Sequence, residues 1–321
     1  MKNDYLYAVA AIRANEVSLL KDADLQQLIS VPDYKKAALL LTDKGYGSAE
    51  GTNYSKMLDA EIEKTWNLVF SSAKDAEALN LFIVKNDFQN LKAVLKAEIS
   101  GQKAEDYFVT PSVMEGAKLS ELIADRKFDE LPDFLRLGAK KAYEVLTKTK
   151  NGQFCDITAD FYTMQCILDL AKKSNDLILL DFAQSFIVAT NIKTAYRAIK
   201  TGKAKGFYEE ALCECESLSK NDLIAAAISG ENEFFEYLKN VGFEGFVSAL
   251  SKSTSAFEKY CDDRLMEIMK KAKMTAFGIS PLAAYFFARE TEIKCVRIIL
   301  SAKFNGSSED AVRERMRELY V

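Results

Sequence analysis

The residues able to do chemistry are few in this chain, and their spacing is poor for it. Six cysteines stand at Cys155, Cys166, Cys213, Cys215, Cys261 and Cys295, and histidine is absent. Without histidine there is no commonest general base, no usual zinc ligand and no partner for a Ser-His or Cys-His couple. Cys213-Glu-Cys215 has no second pair to complete a tetrahedral site, so the six thiols are expected to be reduced and placed on or beside helices. Adjacent Asp262 and Asp263 in "CDDRLME" begin like an aspartate-rich metal motif, but Met266 stands at i+4 from Asp262 where a further carboxylate is needed. A solvated or helix-capping pair is the expectation there. "GYGSAEG", with Gly45, Gly47 and Gly51, lacks the spacing of GxGxxG and of the P-loop, and it follows the helical "YKKAALLL" rather than a strand. It reads as a loop between helices. No catalytic, cofactor-binding or metal residue is assigned.

The elements that would have to position any site are helices. Four prolines and fourteen glycines interrupt 321 residues, too few for a turn-rich β protein, and apolar residues recur with helical rather than strand spacing. Tyr5, Val9, Ile12 and Leu19 share one face. "SSEDAVRERMRELYV" predicts a last helix with Ser307 as N-cap, Asp310 at N3, and Val312, Met316, Leu319 and Tyr320 on one stripe. Forty-three basic against 47 acidic side chains leave a net charge of −4, which is not the basic footprint of a nucleic-acid binder. Met1-Lys2-Asn3-Asp4 leads into an amphipathic segment rather than a signal peptide. The longest apolar run, residues 279–288, is too short to span a bilayer.

One helical pattern occurs three times. "LFIVKNDFQNLKAVLKAEISG", "FAQSFIVATNIKTAYRAIKTG" and "ARETEIKCVRIILSAKFNG" come into register at offsets of 101 and 104 residues. Leu81, Phe182 and Phe286 coincide, as do Phe88, Ala189 and Ile293, then Leu91, Ile192 and Val296, then Leu95, Tyr196 and Leu300. Steps of seven, three and four residues describe one buried helix face. Lys92, Lys193 and Arg297 coincide as cations and Ala97, Ala198 and Ala302 as small residues, and each copy stops at a glycine: Gly101, Gly202 and Gly306. Glycine ends helices because it enters the left-handed region without steric cost. Each copy is preceded by a further helix ("MLDAEIEKTWNLVFSSA", "ADFYTMQCILDLAKK", "FEKYCDDRLMEIMKKA"), so the unit is a helical module of about a hundred residues. The module divides the chain into 1–105, 106–208 and 209–321, the last with a C-terminal helix. Glu290 with Lys294, and Glu309 with Arg313, stand at i,i+4 in the favourable orientation. Arg313, Arg315 and Arg317 are candidates for meeting a partner.

The opening "YLYAVAAIRANEVSLL", the three internal helices, and above all "ARETEIKCVRIILSAKFNG" with "VRERMRELYV" resemble the C subunit of bacterial and archaeal V-type ATPases, the counterpart of the eukaryotic d subunit. The resemblance runs from Tyr5 to Val321. It implies an all-α, funnel-like body of three similar helical domains around a pseudo-threefold axis. The implied role is a non-catalytic central-stalk (rotor) subunit that seats the central shaft and rests on the membrane rotor ring, coupling rotation to proton or sodium transport. It would be cytoplasmic and peripheral to the membrane, with no nucleic acid, nucleotide, cofactor or membrane span of its own. Where the family pattern carries asparagine, this chain keeps Asn90 and Asn191 but has Cys295 in the third copy, which weakens a hydrogen-bonding role there. A helical-repeat scaffold unrelated to rotary ATPases is the alternative, against which the length of the repeat counts.

Overall fold

The computed structural model describes residues 5–47, 54–74 and 76–321. Among them the chain is all-α. In order run α1 (Leu6–Glu16), α2 (Asp22–Ser30), α3 (Tyr34–Asp43), α4 (Tyr54–Ser72), α5 (Val84–Ser100), α6 (Gly116–Ala124), α7 (Asp133–Thr149) and α8 (Gly152–Ser174). Then come α9 (Leu177–Lys200), α10 (Lys205–Ala211), α11 (Lys220–Ser229), α12 (Glu231–Asn240), α13 (Glu244–Lys252), α14 (Thr254–Lys270), α15 (Ser280–Asn305) and α16 (Glu309–Arg313). No strand occurs among the described residues, only an isolated bridge between Cys215 and Leu218.

Helix starts follow ordinary capping chemistry. The side chains of Asp33, Asn151, Ser219, Ser253 and Ser308 accept from backbone N–H groups in the first turns of α3, α8, α11, α14 and α16, filling donors that lack an intrahelical partner. The last helix is shorter than its periodicity predicts, and its N-cap is Ser308 rather than Ser307. The cause is tertiary. Lys259 Nζ donates to Met316 O at 2.6 Å, and Asp263 Oδ1 accepts from Glu318 N at 2.7 Å. These bonds from α14 hold the tail extended, and Leu319 and Tyr320 are buried from that conformation.

The chain divides into two compact units. One consists of residues 1–76, 176–182 and 245–321. Its centre is α15, which packs against α1, α2, α3, α4, α14 and α16. The first half of α15 is apolar all round, from Leu282 through Ala288, and all of it is buried, as a helix without a polar face must be. Trp66 of α4 meets Phe286 edge-on with ring centroids 5.3 Å apart. The second half of α15 joins Leu25, Leu28, Leu41 and Leu58 in a core shared with α2, α3 and the start of α4.

The other unit consists of residues 77–175 and 183–244. There α8 packs on α7, α5 and α10, and α5 also meets α6. Gly138 of α7 allows the closest approach. A Cβ at that position would stand 2.7 Å from the ring of Phe88 and 2.9 Å from Tyr162 Cβ. Among the described residues one helix, α9, is long and apolar enough to cross a membrane, and 56% of its most apolar window is already buried within the chain.

Candidate functional site

The three copies of the repeated helix are α5, α9 and α15, and their shared positions share environments. Leu91, Ile192 and Val296 have no exposed surface. Gly101, Gly202 and Gly306 follow the last helical turns at φ of 70°, 61° and 67°, a region that costs an L-residue about 1 kcal/mol or more. The position occupied by Asn90, Asn191 and Cys295 clamps the segment that follows its helix. Asn90 donates to Val109 O (3.1 Å) and accepts from Val109 N (2.7 Å). Asn191 does the same with Cys213, at 2.7 and 3.0 Å. Cys295 makes only a long S–H bond to Arg317 O, at 3.9 Å. A side-chain amide satisfies both groups of one peptide residue, whereas a thiol is a single weak donor.

Sequence reasoning missed a second shared position, three residues earlier. Asp87 and Glu292 stand in register there, with Val188 between them in the second copy. A carboxylate on an otherwise apolar face interrupts the pattern, so periodicity alone does not mark either one. Asp87 is fully buried and accepts from Val113 N (3.0 Å) and Met114 N (2.8 Å). Burial pushes its carboxyl up to about 6 despite those two donors. Glu292 accepts from Leu20 N at 2.6 Å, from the Tyr46 hydroxyl and from Arg289, which also donates to Ser18 Oγ. Burial drives the Tyr46 phenol well above its usual range, and the neighbouring Glu292 adds to the shift. Burial alone would favour loss of the Arg289 charge, but Glu292 outweighs it and holds the guanidinium protonated. The glycine-rich loop has its explanation here. Gly45, at φ 92°, turns the chain after α3 so that Tyr46 reaches Glu292; Gly51 lies outside the described residues.

Two of the three shared cations form a repeated ion pair. Lys92 of α5 meets Asp160 of α8 at 2.8 Å, and Arg297 of α15 meets Asp59 of α4 at 2.9 Å. Asp59 and Asp160 are themselves 101 residues apart, the first offset of the repeat. In two of the three places the helix preceding one copy therefore packs on another copy in register: α8 on α5, and α4 on α15.

Asp262 and Asp263 are part-exposed and ion-paired rather than capping. Asp262 accepts from Arg317 Nε at 2.9 Å and from Lys294, while Asp263 pairs with Lys259 at 2.7 Å and holds Glu318 N. Lys294 thus turns to α14 for its ion pair. Arg313 is exposed and paired with Glu309 at 3.2 Å, and Arg315 is exposed. Arg317 is buried, 5% exposed, and committed to Asp262 and Arg315 O.

Two grooves repeat as well. One runs along α5 past Lys92, Ala93, Ala97, Ser100 and Gln102, and the other along α15 past Arg297, Ile298, Ala302, Asn305 and Ser307. Each of these positions differs by the same 205 residues. Each groove encloses about 420 Å³. Burial raises the thiols of Cys155, Cys213 and Cys295 to about 11 and that of Cys166 to about 12, far from the thiolate a nucleophile requires. No group of three or more Cys, Asp and Glu side chains placed to hold a metal ion occurs among the described residues.

Repeated helices, repeated clamps and matched grooves define an all-α protein built on one recurring helical unit. Residues 8–315 match the family model described as ATP synthase (C/AC39) subunit, and the chain belongs to that family. It is 26% identical to the C subunit of the V-type sodium ATPase of Enterococcus hirae, over 96% of this chain and 97% of that one. It is 23% identical to the C subunit of the A-type ATP synthase of Methanocaldococcus jannaschii, over 98% and 86%. With the C subunit of the V-type ATP synthase of Thermus thermophilus identity is 20%, over 98% and 99%.

Proposed function

We propose that the chain is a non-catalytic central-stalk subunit of a V-type rotary ATPase, joining the central shaft to the membrane rotor ring during proton or sodium transport. The observation that carries this reading is the recurrence, at one register, of the same ion pair and the same groove on α5 and α15. A body that transmits torque needs rigid, repeated helix packing and surfaces for two neighbours, and interiors at native density resist deformation. The match to these rotary-ATPase relatives along nearly the whole chain supports the same role.

On this reading the three modules, 1–105, 106–208 and 209–321, stand around a pseudo-threefold axis as a funnel. Packing units need not coincide with those segments, since the first module lends α4 to α15 and the second lends α8 to α5. Arg313 and Arg315 remain the partner-facing candidates of the tail, with Arg317 supporting them from within. The protein is peripheral to the membrane on its cytoplasmic side, held through its neighbours in the complex. Pull-down of the full chain with shaft subunits, and separately with detergent-solubilised rotor ring, at low and moderate salt tests the proposal. Binding to both is expected; a folded chain that binds neither overturns it.

A further inference from the structure

The outward face of α1 lacks the polar residues of a helix that lies against water. Its inward face buries Ala8, Val9 and Ile12, as a core-facing stripe should. Leu6, Tyr7, Ala10, Ala14 and, at the C-cap, Val17 are exposed. With 3.6 residues per turn all five fall within an arc of about 100°, and none carries a charge. The two charges of α1 are turned elsewhere. Arg13 pairs with Glu16 at 2.7 Å and donates to the carbonyls of Ala272, Lys273 and Thr275, at 2.7, 3.1 and 3.2 Å.

Those bonds fix the turn between α14 and α15 beside α1, and on that turn Met274 is 92% exposed. The same turn is held to the start of α9, where Lys271 meets Asp181 at 3.0 Å and Asp176 accepts from Ser280 Oγ. Leu177 follows Asp176 and is 78% exposed. Tyr7 is 86% and Val17 83% exposed, so the four most exposed large apolar side chains among the described residues stand on three linked elements of one unit. Single exposed apolar residues need no account, but a cluster does. Shape and charge decide what covers it. The side chains project separately from a helix, a turn and a helix start, so a folded partner would need a pocket for each, whereas the headgroup boundary of a bilayer deforms around them. Tyr7 has the amphipathic ring that settles at that depth. Residues 270–280 hold three lysines and no carboxylate. Lys270 and Lys271 are paired with Glu318 and Asp181. Lys273 lies over the Tyr320 ring, 4.8 Å from its centroid, and no carboxylate among the described residues meets it. The patch is left with one net cation, which suits anionic headgroups.

We propose that α1 and the Met274 turn rest on a lipid bilayer surface, with Tyr7, Val17, Leu177 and Met274 entering the headgroup boundary and Lys273 facing anionic lipid. The contact is interfacial and spans nothing. It does not depend on the rotor reading, and it adds a direct lipid contact to attachment through protein neighbours.

The test is flotation of the full chain with phosphatidylcholine vesicles and with mixed phosphatidylcholine–phosphatidylglycerol vesicles. Wild type is compared with Met274→Glu, Tyr7→Glu, Lys273→Gln and Phe304→Glu, each checked for unchanged helicity and thermal midpoint. Phe304, an exposed ring at the opposite end of α15, is the control. Wild type should bind both vesicles, the anionic ones about fivefold more tightly. Met274→Glu and Tyr7→Glu should weaken binding by about tenfold or more. Lys273→Gln should remove only the preference for anionic lipid, and Phe304→Glu should stay within about twofold of wild type. Wild type that floats with neither vesicle overturns the proposal, as does undiminished binding by Met274→Glu and Tyr7→Glu. Without vesicle affinity, self-association or capture of solubilised rotor ring that Met274→Glu abolishes assigns the surface to a protein and overturns the lipid contact. The expected vesicle pattern in a chain that captures neither shaft nor ring supports the lipid contact while the rotor reading fails.

Discussion

Asp87 and Asn191 show how much of this fold is held by single polar side chains inside it. The Asp87 carboxyl, at about 6 in the folded chain against 3.8 when free, binds its proton more tightly folded than unfolded. Its contribution is therefore fully present below pH 3.8, is lost as pH rises to about 6, and is constant above. The span corresponds to about 3 kcal/mol. Wild-type stability should fall relative to Asp87→Asn between pH 4 and 6.5 in urea titrations, and a difference independent of pH would refute the assignment. Replacing Asn191 with Ala orphans both backbone groups of buried Cys213, and should cost about 2–4 kcal/mol. Cys295→Ala, which removes one long thiol bond, should cost less than half as much by the same measurement. The asparagines were legible in the sequence because they recur at one offset. The carboxylates were not, because an acid on an apolar face reads as a break in the pattern until its backbone donors are seen.

Helix identity and helix ends were the most legible level, since periodicity and a terminal glycine are local signals. The end of the last helix was misread because its tail is fixed by Lys259 and Asp263 of a helix far back in the chain, which no local window contains. Partner choice between helices was hidden for the same reason. Gly138 is a case where local and tertiary preferences oppose each other. In an isolated helix Gly→Ala gains up to about 1 kcal/mol, but here the new methyl meets the buried ring of Phe88. Overpacking of that kind costs about 1–3 kcal/mol, so Gly138→Ala should lower the thermal midpoint. A raised midpoint would show that α7 can shift away from α5 and α8.

For the whole molecule, the pairing of α4 with α15 joins the two ends of the chain. The ion pair that marks it, Asp59 with Arg297, is about half exposed on both sides, and Asp59→Asn should change stability by less than about 1 kcal/mol. Trp66, 8% exposed and set against Phe286, carries more. Trp66→Ala should cost about 3–5 kcal/mol in chemical denaturation. If the charge variant proved the more damaging, the closure would be electrostatic rather than apolar.

That closure also sets an order of assembly during synthesis. The second unit consists of residues 77–175 and 183–244, so all of it has left the ribosome before α15 does. Helices α2, α3 and α4 are made first yet find their core only when α15 emerges, more than two hundred residues later. At about 5–20 residues per second the wait is on the order of tens of seconds. Throughout it Leu25, Leu28, Leu41 and Leu58 have no α15 to cover them, an obvious target for a holding chaperone. Pulsed hydrogen exchange on chains arrested after residue 250 has left the ribosome should find α5, α7 and α8 protected and α2 to α4 open. Protection of α2 to α4 at that stage would mean that the first residues made have found another cover.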